Sequence, residues 1–307
     1  MARSKLRALA AAAAALALTV GVAACGDDDD DDGGGGDGGG GGGSIALLLP
    51  ETKTTRYEEQ DRPNFERRVK ELCADCELIY ANADQDPAKQ QQQAEAAITQ
   101  GAKVIVISAV DVKSAAAIVT RAKQSDVAVI AYGRLIPDAD IDYYVSIDPF
   151  KVGQQQAEVQ MDAIEQDGGS SPKVVMINGA PTDSNAKPYK DGARQVLEER
   201  GAEVVKSYDT PDWSPDRAQQ EMEQSVTSLG EDGFDAVYVA NDGMAGGAIA
   251  AWHNASPGSD VYVQRIGSGS PQVCGSTLHP TTVPSMEIPP SADTACASVS
   301  QIQSPVL

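Results

Sequence analysis

The chain has 307 residues, enough for two domains of ordinary size, and its formal net charge is −21. An acidic protein repels phosphate backbones and anionic lipid headgroups, so this charge argues against binding to nucleic acid or to an anionic membrane surface.

The first 24 residues have the features of a secretion signal. Three basic residues precede an apolar run at 8–20, which is too short to span a membrane comfortably. Small residues then lead to Cys25, in a string that resembles the bacterial lipobox. In that motif the cysteine thiol is acylated with diacylglycerol and becomes the new N-terminus. We therefore expect a signal peptide at 1–24 and a lipid anchor at Cys25 on the outer face of the cell membrane; an ordinary signal peptide with a chance cysteine is the alternative.

The lipidated Cys25 begins a segment at 25–44 that consists almost entirely of Asp and Gly. Such a composition cannot bury apolar surface, and its like charges repel one another. The segment is predicted to be a flexible linker between the membrane and the first strand.

From residue 45 the sequence predicts alternating strands and helices. The continuous apolar run at 45–49 is typical of a strand that is covered on both faces. Asp86 followed by Pro87 is typical of a helix start. In chain order the predicted elements are strand 45–49, helix 57–72, strand 77–82, helix 86–100, strand 104–107, helix 111–125, strand 127–132 and strand 143–147.

A second series begins at Asp148 and Pro149. Its predicted elements are helix 148–166, strand 173–178, helix 184–200, strand 202–208, helix 214–229, strand 235–240 and helix 242–251. Alternation of this kind indicates parallel sheets with helices on both faces. We predict an α/β fold with two doubly wound parallel-sheet lobes, at 45–147 and 148–251.

Polar planar or aromatic side chains follow most of the predicted strands. Open α/β sheets bind ligands at the carboxyl ends of their strands, so two facing lobes would place these side chains across one cleft. Asn, Asp and Arg offer paired groups to vicinal hydroxyls, and an aromatic ring suits the CH face of a pyranose, so the pattern favours a sugar. Binding is favoured for Arg134 and Trp213, whereas Asp86, Asp111 and Asp148 are better explained as helix caps or turn residues.

The sequence does not favour an enzyme. It has two histidines and contains no recognisable pairing of a nucleophile with a base, nor a phosphate-binding glycine motif in a working context. Cys73 and Cys76 are spaced for a local disulfide in an oxidising compartment, and the sequence near them holds no histidine pair that would indicate zinc.

Several strings together resemble the type I periplasmic sugar-binding proteins, and most closely their D-xylose-binding branch. The strings are 54–58 (TTRYE), 82–86 (NADQD), 131–136 (AYGRLI), 139–146 (ADIDYYVS), 183–187 (DSNAK), Trp213 and 240–248 (ANDGMAGGA). Matched to the family's motifs, the ligand-binding residues would be Arg56, Tyr57, Arg134, Asn185, Trp213, Asn241 and Asp242.

The resemblance implies a Venus-flytrap: two lobes joined by three crossing strands that close on one sugar. The closed lobes would dock on the permease of an ABC importer, whose ATPase drives transport. The expected partners are thus a monosaccharide, the permease and the ATPase. No cofactor or metal is implied.

The sequence departs from this family pattern at two places. The family usually has Asp before the binding arginine, where this chain has Gly133. After residue 251 the resemblance ends, and the tail at 252–307 is rich in Ser, Thr and Pro, with strand character only at 261–266. A reading-frame change, a divergent end or a genuine alternative C-terminus would each explain such a tail. The closing segments of the fold are expected to be missing or aberrant, with the tail poorly ordered.

The function hypothesis is an extracytoplasmic lipoprotein that captures a monosaccharide, D-xylose first among them, for an ABC importer. The alternatives are a receptor module that senses another small polar ligand and a non-functional remnant.

Overall fold

The computed structural model describes residues 43–255, 262–267, 270–274 and 296–298. The predicted signal peptide, Cys25, nearly all of the linker and most of the tail lie outside these residues. Within the described part of the chain, no helix is both long enough and apolar enough to cross a membrane.

The first sheet has five parallel strands in the order β2-β1-β3-β4-β5. Together with its helices it is called lobe 1 below. The strands are β1 (Ser44–Leu49), β2 (Glu77–Asn82), β3 (Ala102–Ile107), β4 (Ala128–Tyr132) and β5 (Tyr143–Val145). The helices are α1 (Arg62–Leu72), which continues a π-helical turn at Tyr57–Asp61, α2 (Pro87–Thr99) and α3 (Ala116–Lys123).

Both faces of this sheet are covered, as the unbroken apolar run of β1 predicts. Leu48 is buried in a cluster with residues of α2 and α3. Its neighbours Leu47 and Leu49 belong to a separate cluster on the opposite face, with Tyr57 and Phe65. Successive strand residues point to opposite faces, so this division confirms the doubly wound arrangement.

The second sheet has the order β11-β10-β9-β8-β6-β7 and, with its helices, is called lobe 2. Strands β6 to β9 run parallel, whereas β10 and β11 pair antiparallel. The strands are β6 (Lys173–Asn178), β7 (Glu203–Asp209), β8 (Ala236–Val239), β9 (Tyr262–Gly267), β10 (Ser270–Cys274) and β11 (Cys296–Ser298). The helices are α4 (Pro149–Gln166), α5 (Ala186–Glu199), α6 (Pro215–Leu229) and α7 (Asp242–Ala255), with 3-10 turns at Pro211–Trp213 and Glu231–Gly233.

Local signals set several helix starts as predicted. The side chain of Asp86 accepts hydrogen bonds from the backbone N–H groups of Ala88 and Lys89, and that of Asp148 accepts one from Lys151. These caps satisfy amides that a helix leaves without internal partners. The predicted Cys73–Cys76 disulfide is present, just after α1.

The start predicted for the third helix, at Asp111, is wrong. The Asp111 carboxylate accepts hydrogen bonds from the N–H groups of Lys113 and Ser114, at 2.9 and 2.7 Å, and so closes a separate turn. The helix begins only at Ala116. A side chain that caps a turn looks the same in sequence as one that caps a helix.

The beginning of the tail belongs to lobe 2. Helix α7 continues past residue 251, and Trp252 is buried in the lobe-2 core against Phe234. The predicted strand at 261–266 is confirmed as β9, which pairs with β8. Strands β10 and β11 were not predicted, because the sequence around them lacks a clear strand period.

Candidate ligand-binding site

Two buried polar side chains lie where the strand order of lobe 1 reverses, between β1 and β3. Glu51 follows β1 and Ser108 follows β3, and both are 0% exposed. One Glu51 oxygen, Oε2, accepts a hydrogen bond from the N–H of Thr54 at 2.8 Å. The other oxygen, Oε1, and the Ser108 hydroxyl have no hydrogen-bond partner among the described residues. Buried polar groups without partners are rare in folded proteins, and this edge of a parallel sheet is where ligands bind.

Arg56 and Tyr57 lie beside these groups. The Arg56 guanidinium is 5.1 Å from the centre of the Tyr57 ring, and its Nε is 3.0 Å from a carboxylate oxygen of Asp61. Burial lowers the pKa of Arg56, but Tyr57, Asp61 and Tyr132 outweigh it and the net pKa is raised, so the guanidinium stays charged. Its side chain is 47% exposed and can therefore still bind a ligand group.

Arg134 is buried and joins the two lobes. Its Nη1 donates a hydrogen bond to the carbonyl oxygen of Ala109 at 2.7 Å, and its Nε forms an ion pair with Asp183 of lobe 2 at 2.8 Å. Burial lowers the pKa of Arg134, but Tyr57, Asp183 and Glu51 outweigh it and leave the pKa raised. The arginine is therefore a fixed, charged donor beside Tyr57 and Glu51.

Asn185 also lies at the junction of the lobes. Its backbone N–H donates to Asp183 at 2.8 Å, and its Nδ2 donates to the carbonyl oxygen of Gly133 at 2.8 Å. Gly133 has a φ of +75°, a conformation that favours glycine. A Cβ at Gly133 would lie 3.7 Å from Nη2 of Arg56 and 3.9 Å from the Ser108 hydroxyl, so the missing side chain leaves the space between them open.

Trp213 is 6% exposed and lies against the end of β6. Its ring packs edge-to-face on Tyr189, with 6.5 Å between the ring centroids, and it covers the backbone of Gly179. Its indole Nε1 has no hydrogen-bond partner in the described part of the chain. Trp213 therefore presents both an aromatic surface and a donor at the carboxyl end of the lobe-2 sheet.

Asn241 and Asp242 follow β8 at the start of α7. The Asn241 side chain accepts a hydrogen bond from the N–H of Met244 at 2.9 Å, so it caps this helix. A Cβ at Gly243 would lie 3.6 Å from the carbonyl oxygen of Lys53, so this helix start faces the loop after β1. The pair thus lies near lobe 1, with Asn241 also serving as a cap.

Tyr189 belongs to the same cluster but was not predicted from the sequence. Burial, followed by the nearby Asp183, raises its pKa to about 12, although Arg56 and Arg134 act in the opposite direction. Tyr189 lies inside α5 and does not directly follow a strand, so the rule that ligand-binding residues follow strand ends does not predict it. The N–H of Tyr189 donates a hydrogen bond to the carbonyl of Asn185, so Tyr189 lies one helical turn after that residue.

Comparison with known proteins identifies the family of this chain. Residues 45–286 match the family model described as periplasmic binding protein domain. The chain belongs to the periplasmic binding protein family. The matched segment extends past residue 251, where the resemblance found by reading the sequence ends.

Two relatives of this periplasmic binding protein are named for sugars. The D-xylose-binding periplasmic protein of Escherichia coli is 33% identical over 211 residues, which cover 67% of this chain and 61% of that protein. The multiple sugar-binding periplasmic receptor of Rhizobium radiobacter is 31% identical over 220 residues, with 67% and 61% coverage. The chain thus spans 61% of the length of these relatives.

One solved structure is an ABC transporter solute-binding protein from Clostridium phytofermentans with bound β-D-glucose. It is 29% identical to this chain with a TM-score of 0.65, and the alignment covers 72% of this chain and 71% of that protein. A second solved structure is an ABC transporter solute-binding protein from Bacillus halodurans with bound myo-inositol. It is 24% identical with a TM-score of 0.63, the alignment covers 74% of this chain and 76% of that protein, and the likeness supports the fold alone. These relatives and neighbours are binding proteins and not enzymes.

Proposed function

We propose that this periplasmic binding protein captures a monosaccharide outside the cytoplasm and delivers it to the permease and ATPase of an ABC importer. D-xylose is the first candidate, because a relative that is 33% identical is named for it. The observation that carries the proposal is a group of buried polar atoms at the carboxyl ends of the strands, on Glu51, Ser108 and Trp213, that have no hydrogen-bond partner among the described residues.

The chemistry of this group suits a sugar. A carboxylate accepts hydrogen bonds, an indole donates them, and a hydroxyl does both, so together they match the alternating donors and acceptors of sugar hydroxyls. Arg134 and Arg56 add charged donors, and the rings of Trp213 and Tyr189 offer apolar surface. We therefore propose all seven residues predicted from the sequence as the binding set, with Glu51, Ser108 and Tyr189 added.

Binding of D-xylose, D-ribose, D-glucose and D-galactose to the purified chain, measured by calorimetry, tests this function. The sharpest variant is Ser108→Ala. Because the Ser108 hydroxyl has no protein partner among the described residues, its removal should leave the melting temperature unchanged. It should weaken sugar binding about 5- to 150-fold, the effect of about 1–3 kcal/mol for a lost buried hydrogen bond.

Ser225→Ala is the matched control. Ser225 is equally buried, but its hydroxyl is bonded to the carbonyl of Glu221 at 2.8 Å and to the Tyr208 hydroxyl at 3.1 Å, within lobe 2. This variant should melt at a lower temperature and keep its sugar affinity. A folded wild-type chain that binds none of the four sugars, or equal affinities for wild type and Ser108→Ala, would contradict the proposed site.

We also propose the domain division predicted from the sequence: a signal peptide at 1–24, a lipidated Cys25 with its linker at 25–44, lobes at 45–147 and 148–251, and a tail at 252–307. The end of α7 and strands β9 to β11 fall within this tail and pack as part of lobe 2. Cys25→Ser should move the protein from the membrane fraction to the soluble extracytoplasmic fraction of expressing cells. An unchanged membrane fraction for Cys25→Ser would contradict lipid anchoring at this residue.

A further inference from the structure

Two turns of unusual backbone conformation meet at the rim of the cleft. In lobe 1, Asp84 and Gln85 have φ values of 49° and 65°. In lobe 2, Asp212 and Trp213 have φ values of 62° and 51°. Left-handed backbone is unfavourable for residues other than glycine, most of all for a bulky one such as Trp, and it persists only where neighbouring contacts impose it.

The backbone around Gln85 is fixed by lobe 1. Its N–H donates to the carbonyl of Pro50 at 2.8 Å, and the next residue, Asp86, donates from its N–H to the carbonyl of Ala83 at 3.0 Å. Asp86 also caps α2. These bonds determine the direction in which the Gln85 side chain leaves the turn.

The ends of the lobe-2 turn are fixed as well. The N–H of Thr210 donates to the carbonyl of Asn178 at 3.1 Å, and its hydroxyl donates to Glu221 at 2.6 Å. The N–H of Ser214 donates to the carbonyl of Pro211 at 3.3 Å. The carbonyl of Asp212 lies between these points and accepts its hydrogen bond from the other lobe, from Nε2 of Gln85 at 2.7 Å.

We propose that Gln85 is a positioning residue for Trp213 and that it acts only when the lobes are together. The Asp212 carbonyl belongs to the peptide group that precedes Trp213, so a bond to it restricts rotation of that peptide and with it the direction of the indole. Because donor and acceptor belong to different lobes, closure and placement of the indole are coupled. The effect of this coupling on ligand binding rests on the proposed function.

Other contacts of the described residues join the lobes away from this turn. The N–H of Val112 donates to the carbonyl of Thr182 at 3.1 Å, and Arg134 pairs with Asp183. Loss of the Gln85 bond should therefore loosen the turn without separating the lobes.

The test compares Gln85→Ala and Gln85→Glu with Gln91→Ala in the full chain. Glu retains the size of Gln but cannot donate a hydrogen bond when ionised. Gln91 lies six residues further along, and its amide bonds only the exposed Glu95 at 3.3 Å in the contacts described, so it is the matched control.

Hydrogen exchange of the Ser214 N–H, measured without sugar, reports on the turn. We expect exchange about 2- to 10-fold faster in both Gln85 variants, the effect of one lost hydrogen bond, and unchanged exchange in the control. The N–H of Gly230, bonded to Val226 at the end of α6, should not change in any variant. The proposal would be overturned if the Ser214 N–H exchanged at the same rate in all proteins. It would also be overturned if the Gln85 variants melted at a lower temperature without faster Ser214 exchange.

Dissociation of D-xylose should accelerate by a similar factor in the Gln85 variants. If the wild-type chain binds no sugar, the proposed function fails, whereas the exchange rates still decide the role of Gln85.

Discussion

Gly179 controls where the Trp213 ring can lie. A Cβ at Gly179 would be 2.5 Å from Cζ3 of the indole and closer still to Cη2 and Cζ2. Carbon atoms in contact are normally about 3.5–4.0 Å apart, so Gly179→Ala requires the ring or the strand end to move by at least about 1 Å.

The ring should move rather than the strand. Gly179 follows β6, which pairs with β7 on one side and β8 on the other, so its backbone is held in the middle of the sheet. Trp213 belongs to a short turn whose other residues, Pro211 and Asp212, are exposed. Overpacking of this kind costs about 1–3 kcal/mol, which corresponds to sugar binding that is about 5- to 150-fold weaker.

Calorimetry with D-xylose and the near-ultraviolet circular dichroism of the indole check this expectation. Gly246→Ala is the control, because a Cβ at this position inside α7 meets no atom within 4 Å and alanine favours the helix. It should keep the affinity and melt at an equal or higher temperature. Wild-type affinity and an unchanged indole signal in Gly179→Ala would refute the close packing of Trp213 on Gly179.

Three further predictions concern charge and packing. Asp183→Asn removes the ion-pair partner of the buried Arg134, which costs about 3–5 kcal/mol. The lobes should therefore separate and the radius of gyration measured by X-ray scattering should rise; an unchanged radius would contradict this. Gly192→Ala should lower the free energy of unfolding in urea by about 1–3 kcal/mol or more, because its Cβ would lie 3.0 Å from the carbonyl carbon of Phe150 and closer to the oxygen, between α5 and α4. Burial raises the pKa of Glu221 in the folded protein above its value in the unfolded chain. Ionisation of Glu221 therefore lowers the stability of the fold as the pH rises through the folded pKa, and Glu221→Gln should melt at a higher temperature than wild type at pH 7 but not at pH 3. A lower melting temperature of Glu221→Gln at pH 7 would contradict this direction of the pKa shift.

The secondary structure was predictable wherever its cause is local. Strands β2 and β6 have the predicted bounds. The apolar run of β6 is buried, as expected of a strand that is covered on both faces, whereas β2 lies at the sheet edge and is only partly buried. Helices α4 and α6 begin where an Asp-Pro or Ser-Pro pair predicts. The start of α3 was missed because Asp111 accepts hydrogen bonds in a separate turn from the same backbone amides that it would accept as a helix cap.

The candidate site was predictable only in part. Arg56, Tyr57, Arg134 and Trp213 follow strand ends, so the rule for open α/β sheets is sufficient to find them. Tyr189 lies on a helix, and which side of a helix faces the cleft depends on how that helix packs against its neighbours. Its contact with Trp213 could therefore not be read from the sequence.

As far as β9, the sequence by itself determined the order of strands and helices, their arrangement in parallel sheets and the end of each sheet at which polar side chains collect. These properties depend on hydrophobic period and on residues adjacent in the chain. The tertiary structure alone decided the partners across the cleft, such as Arg134 with Asp183 and Gln85 with the carbonyl of Asp212. Gln85 and Asp212 are 127 residues apart, and a bond between such distant segments forms only once both lobes have packed and come together.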